Sequence, residues 1–136
     1  MKTARFMAAC AKLGAAVAKM NTQQSDVLYE CGLQLGYAFQ ITDDAMDYLN
    51  AADITGKDAG NDFINGKITL PLLHLLEVAD NKERALLKNY AKTPDNDNWN
   101  YVVSKAKEYN VVDYCISIAS DYVKKAIEII SMFPDK

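Results

Sequence analysis

Apolar residues recur at three- and four-residue intervals along most of the chain, which is the period of helices. Residues 3–20 carry Phe6, Cys10, Leu13, Ala16 and Val17 on one stripe, with Lys12 and Lys19 recurring at helical spacing. Asn21-Thr22-Gln23-Gln24-Ser25 interrupts the pattern, and Ser25 or a neighbour can cap the next helix. That second helix is expected from about Asp26 to Tyr48. Its interior is nearly all apolar or small, so it belongs at the centre of a bundle. Gly32 and Gly36 lie four apart on one face, each costing about 1 kcal/mol against Ala. Close approach of another helix is the expected reason, ahead of room for a bulky ligand.

From Asn50 to Lys67 the periodicity stops, and Gly56, Gly60 and Gly66 fall among charged residues. A polar loop of this length inside a compact domain is usually functional or disordered. Helix resumes near Thr69, an expected N-cap, with Pro71 tolerated in the first turn. Leu70, Leu72, Leu73, Leu75 and Leu76 make this a buried helix, and His74, the single histidine, is expected to be structural. Asp80-Asn81-Lys82-Glu83 resembles a capping box opening a helix to about Ala91. Residues 93–98 read as a loop. Trp99 to Tyr109 is a short helix, with Trp99, Val102, Val103 and Ala106 inward. Val111 to Met132 is a final long helix with Tyr114, Ile118, Tyr122, Ala126 and Ile129 on one stripe, ended by Phe133-Pro134. No strand, repeat or linker is visible. The expectation is one all-α domain over residues 1–136, a helical bundle of about six helices.

Composition adds limits. The 136 residues are half apolar and a quarter charged, ordinary for a globular domain able to bury a core. A net charge of −3 argues against nucleic acid as a partner. No apolar run approaches the roughly 20 residues that span a bilayer. Cys10, Cys31 and Cys115 lack metal-ligand spacing and are expected as buried free thiols in a reducing cytoplasm.

The candidate chemistry lies in Phe39-Gln40-Ile41-Thr42-Asp43-Asp44-Ala45-Met46-Asp47. In a helix Asp43 and Asp47 share a face, Asp44 lies beside them, and Gln40 joins the stripe. Like charges four apart oppose each other by roughly 0.2–0.5 kcal/mol. They also fall near the expected C-terminal end of the helix, where the macrodipole disfavours anions. A cation would relieve both costs. Oxygen ligands with room for water suit Mg²⁺, which often bridges carboxylate and phosphate. A solvated acidic face satisfies the same pattern. The adjoining loop matches no simple ion motif. Between Gly60 and Gly66-Lys67 stand five residues where a phosphate loop needs four, and Ile68 replaces its Ser or Thr. As a calcium loop, 53–64 would place Lys57 and Ile64 at ligand positions.

Three stretches together carry a resemblance. Gly36 to Tyr48 is similar to the second aspartate-rich motif of the trans-isoprenyl diphosphate synthases, or polyprenyl synthetases. Gly56-Lys57 through Gly60-Asn61-Asp62-Phe63-Ile64-Asn65-Gly66-Lys67-Ile68-Thr69-Leu70-Pro71 resembles the segment after that motif, and Lys2-Thr3 the upstream Lys-Thr pair. The 56–71 wording is most similar to bacterial octaprenyl diphosphate synthases. The resemblance implies the C-terminal part of the isoprenoid synthase fold. It implies that Asp43, Asp44 and Asp47 hold Mg²⁺ on an allylic diphosphate, with Asp43 the direct ligand. Lys2, Lys57 and Lys67 would bind that diphosphate, and Thr3 and Gln40 would lie near the allylic carbons. Isopentenyl diphosphate would be the second substrate.

That family carries a first aspartate-rich motif, DDxxxxD, upstream of the Lys-Thr pair, and these 136 residues contain no second such cluster. The expectation is therefore the C-terminal half of a cytoplasmic prenyltransferase, inactive alone. It would be homodimeric or paired with an N-terminal half, and would meet membranes peripherally through its product. Two rivals remain: a non-catalytic subunit of a complete synthase, and an unrelated helical Mg²⁺ phosphohydrolase. The second needs further acidic ligands, which Glu30, Glu77 and Glu83 do not supply as a set.

Overall fold

The computed structural model describes residues 2–53 and 60–133. The expected sites Gly56, Lys57 and Pro134 lie outside the described residues. The protein is all-α, with no strand among the described residues. Its helices are α1 (Lys2–Val17), α2 (Thr22–Asp53), α3 (Asn61–Ile64), α4 (Leu70–Val78), α5 (Asn81–Lys92), α6 (Asn96–Glu108) and α7 (Val111–Ile130).

Four boundaries differ from expectation. α2 begins at Thr22, before the expected Asp26, with Asn21 Oδ1 accepting the Gln24 N–H at 2.9 Å. α2 runs past Tyr48 to Asp53, because Leu49-Asn50-Ala51-Ala52 contains no breaker and the first glycine comes at 56. The acidic stripe is thus further from the helix end, and the dipole penalty on Asp43 is smaller, since that effect fades beyond the last turn. The one-turn helix α3 forms inside the expected loop. α6 begins at Asn96, because the Asp95 carboxylate caps the Asn98 N–H at 2.7 Å, and the polar run counted as loop is a first turn.

The residues group into two compact units: 1–42 with 117–136, and 43–116. In the first, α1 lies against the 22–42 part of α2 through small residues. A Cβ on Gly36 would stand 2.4 Å from Ala4 Cα, and one on Gly32 would stand 3.0 Å from Ala8 Cα. The two glycines serve close packing, as their spacing suggested. The expected α1 stripe does not face inward: Phe6, Leu13 and Val17 are 69, 66 and 78% exposed, while Ala4, Ala8 and Ala15 are buried. Backbone proximity at glycine admits alanines and leaves no space for larger groups. Cys10 shares the outward face and is exposed, against expectation; Cys31 and Cys115 are buried, and all three are free thiols. In the 117–130 part of α7, Tyr122 packs on Tyr37 with centroids 5.3 Å apart, and Ala126 is buried.

The second unit has a core of larger groups, including Leu72, Leu75, Leu87, Val102 and Val111. Trp99, Val102 and Ala106 are buried as their spacing predicts. On α7 the buried line passes through Cys115, whereas Tyr114 is partly exposed. Asp80 caps α5, accepting from the Lys82 and Glu83 N–H groups at 2.8 Å each. Arg84 then reaches back to close α4, donating to the Leu76, Glu77 and Ala79 carbonyls at 2.6, 2.9 and 2.9 Å. One guanidinium thereby satisfies three terminal carbonyls.

Candidate active site

The candidate residues fall into two groups. In the second unit the acidic stripe on α2 leads into the turn of residues 60–67. Asp43 is exposed, and Asp44 and Asp47 are half-buried. Asp47 has a definite task. Its Oδ1 accepts the Gly60 N–H at 2.9 Å and its Oδ2 accepts the Asp62 N–H at 3.1 Å. The first N–H groups of any helix lack intrahelical partners, and Gly60, at the N-cap of α3, has no side chain to supply one. Asp47 supplies it from α2.

The turn ends at Lys67. Its N–H bonds the Asp62 carbonyl at 2.8 Å, after Gly66 has reversed the chain at φ +70°. Its ammonium stands 2.6 Å from Asp62 Oδ1. That hydrogen bond and the Asp62 charge raise the Lys67 pKa, with smaller contributions from Asp44 and Asp47. The ammonium therefore lies within the field of the acidic stripe while its side chain stays mostly exposed. Asp62 is a functional candidate that sequence spacing did not single out. Lys67 lies five positions further along the chain, and only the turn brings the two together.

Behind the stripe, Tyr48 is buried, and burial, then the neighbouring Asp47 charge, push its phenol well above the usual range. Thr69 stands at the N-cap of α4 without a side-chain capping bond. Cys115 is pushed up to about 11, by burial first and the Asp44 charge second.

In the first unit the Thr3 hydroxyl donates to Gln40 Oε1 at 3.1 Å. Gly36 makes this pairing available, because contact with Ala4 brings α1 close enough for Thr3 to reach one turn further along α2. Lys2 is exposed at the start of α1. Lys57 lies outside the described residues.

The donors of the stripe are all oxygen, which fits Mg²⁺ or Ca²⁺ and not a soft metal. Among the described residues no three His, Cys, Asp or Glu side chains converge into a ready-made cage. An ion held here would complete its coordination with water or with oxygens of a bound ligand. The three glutamates weighed as further ligands have neighbours of their own. Glu83 takes Lys105 at 2.6 Å and Tyr109 at 2.5 Å, Glu77 lies 3.9 Å from His74, and Glu30 accepts from Gln34. His74 stacks on Tyr114, centroids 3.5 Å apart, in keeping with a structural part.

Residues 1–109 of this all-α chain match the family described as Polyprenyl synthetase. The chain belongs to that family. It is 31% identical over 135 residues to the octaprenyl diphosphate synthase of Haemophilus influenzae, covering 98% of this chain and 41% of that protein. It is 31% identical over 133 residues to heptaprenyl diphosphate synthase component 2 of Geobacillus stearothermophilus, with 98% and 41% covered. The polyprenyl synthase of Caulobacter crescentus, solved with calcium and isoprenyl diphosphate, superposes with a TM-score of 0.88 at 34% identity. That match covers 99% of this chain and 42% of that one. The chain thus spans about two fifths of the length of these relatives.

Proposed function

We propose that this chain supplies the allylic-diphosphate end of the active site of a polyprenyl diphosphate synthase of octaprenyl type. In this reading residues 1–136 are one domain, its carboxy-terminal half. Asp43, Asp44 and Asp47 hold Mg²⁺ on the diphosphate, Asp43 directly. Lys2, Lys57 and Lys67 bind the diphosphate oxygens, while Thr3 and Gln40 line the allylic carbons. The observation that supports it most is inside the second unit: Asp47 anchors a turn that delivers an exposed ammonium into the field of Asp44 and Asp47. Both signs of charge beside each other suit a ligand that is anionic and arrives with a divalent cation.

Bound Mg²⁺ would neutralise charge growing on the departing diphosphate as the allylic bond ionises. The chain's own groups perform the positioning. Asp47 fixes the turn. Asp62 holds the Lys67 ammonium until an anion with more charge competes for it. Its charge then faces the leaving group, where fixed charge is most effective. Gln40 and Thr3 hold each other's orientation. Isopentenyl diphosphate attacks from a second site, which requires a segment bearing DDxxxxD. The protein works in the cytoplasm, as a homodimer or joined to that segment, and meets membranes through its product. No described helix is long and apolar enough to cross one.

Calorimetric titration of Mg²⁺ with and without methylenediphosphonate tests the site. The diphosphonate should tighten Mg²⁺ binding, and Asp43→Ala should abolish the tightening. Equal Mg²⁺ affinity in both titrations would count against the reading. Radiolabelled isopentenyl diphosphate should enter extractable product only when a DDxxxxD-bearing segment is added. Incorporation by this chain alone, lost in Asp43→Ala, would overturn the requirement for a partner segment.

A further inference from the structure

We infer that Trp99 is a positioning residue for Lys67: its indole sets the path of the 60–67 turn and so the place of the ammonium that Asp62 holds at the end of the stripe. The inference rests on the diphosphate reading of that site. Trp99 comes from α6 and is buried, its ring between Tyr48 at 4.8 Å and Phe63 at 5.5 Å between centroids. Gly60 lies flat against the same ring. A Cβ there would stand 2.4 Å from the indole, and Gly60 has φ +80°, so both space and backbone conformation demand glycine. Two residues of the turn, Gly60 and Phe63, therefore rest on one wall.

That wall governs the rest of the turn. Asp47 holds its first N–H groups, at Gly60 and Asp62. The Gly66 N–H bonds the Phe63 carbonyl at 2.9 Å, and the Lys67 N–H bonds the Asp62 carbonyl at 2.8 Å. Asp62 Oδ1 then holds the ammonium at 2.6 Å. Asp47 secures only where the turn begins. Phe63, seated on the indole, secures how far it rotates, and the Lys67 side chain rotates with it. A smaller group at 99 frees Phe63 and Gly60 together and lets the ammonium drift from the stripe.

A double-mutant cycle on the full chain separates this from simple core packing. Mg²⁺–methylenediphosphonate binding is measured well below every variant's thermal midpoint. Trp99→Leu should weaken binding about tenfold with Lys67 present and less than about twofold in a Lys67→Met background. Trp99→Phe, which keeps an aromatic wall, should limit the loss to about threefold. If Trp99→Leu does not fold, Trp99→Phe carries the same cycle, with an expected loss of about threefold confined to the Lys67 background. Equal losses in both backgrounds would overturn the inference. Absence of binding by the unsubstituted chain would overturn the diphosphate reading itself, so the first titration distinguishes the two failures.

Discussion

In the second unit Leu72, Leu75, Leu87, Val102 and Val111 are fully buried, with Trp99, Tyr48 and Phe63 beside them. In the first unit the buried set is Ala4, Ala8, Ala15, Ala38, Ala119 and Ala126, with Cys31 and Ile41. One unit is filled by volume; the other is closed by approach. In the first, glycine and alanine bring two backbones together, and the large apolar side chains of α1 point away. The contrast matters for the site. A turn that must hold an ammonium in place needs a wall of fixed shape, and close-packed aromatic rings provide one. A pairing such as Thr3 with Gln40 needs only that two helices come near.

The largest expected effect is in the filled core. Leu87→Ala should lower unfolding free energy by about 2–5 kcal/mol, while Leu13→Ala on the exposed face should change it by less than about 0.5 kcal/mol. Urea denaturation of both variants checks this. Similar losses would mean that the Leu13 face is covered in solution.

Glycines should respond in opposite directions. Gly36→Ala places a Cβ 2.4 Å from Ala4 Cα and should cost about 1–3 kcal/mol. Gly14 has nothing within 4 Å of a built Cβ, so Gly14→Ala should stabilise by up to about 1 kcal/mol through helix propensity. Thermal midpoints of the two variants measure the difference, and a destabilised Gly14→Ala would show that α1 has a neighbour on that side.

The stripe itself divides in the same way. Asp47→Ala strands two N–H groups and should cost about 1–3 kcal/mol. Asp43→Ala removes an exposed like charge and should leave the unliganded stability unchanged or slightly higher. A drop in melting temperature for Asp43→Ala would reveal a structural partner and weaken its assignment to the metal.

The smallest effect concerns pH. The Cys115 thiol is raised in the folded protein to about 11 from an ordinary value of 9.0. A raised value means the unfolded thiol ionises first. Its stabilising contribution is complete below pH 9 and is lost as pH rises through 11. Cys115→Ala should flatten the decline of stability over that window, apart from any uniform cost of lost packing. An unchanged slope would show that other groups, such as the buried Tyr48 phenol, dominate it.

Much of the fold was legible in the residues: the helical period, Thr69 at an N-cap position, Asp80 as a cap, the inward face of α6, and the purpose of Gly32 and Gly36. The acidic stripe and Lys67 were legible as types at a spacing. The burial of α1 was not. Periodicity reports which residues could share a face, and hydrophobicity favours burying the largest; but contact at glycine decides by distance, and it selected the alanine face instead. The extent of α2 and the early start of α6 were present in Ala51-Ala52 and Asp95, as propensity and capping weigh more than a polar composition.

What the chain by itself determined is therefore local: helices, caps, and a row of carboxylates with a glycine-bearing lysine segment after it. Tertiary structure decided the rest. It made Asp47 the anchor of a turn thirteen residues away, joined Asp62 to Lys67, and set Trp99 behind Gly60. Each of these depends on the path of a backbone between helices. That path is settled by which N–H groups would otherwise go unpaired and which ring leaves room for a glycine, and neither can be read from spacing along the chain.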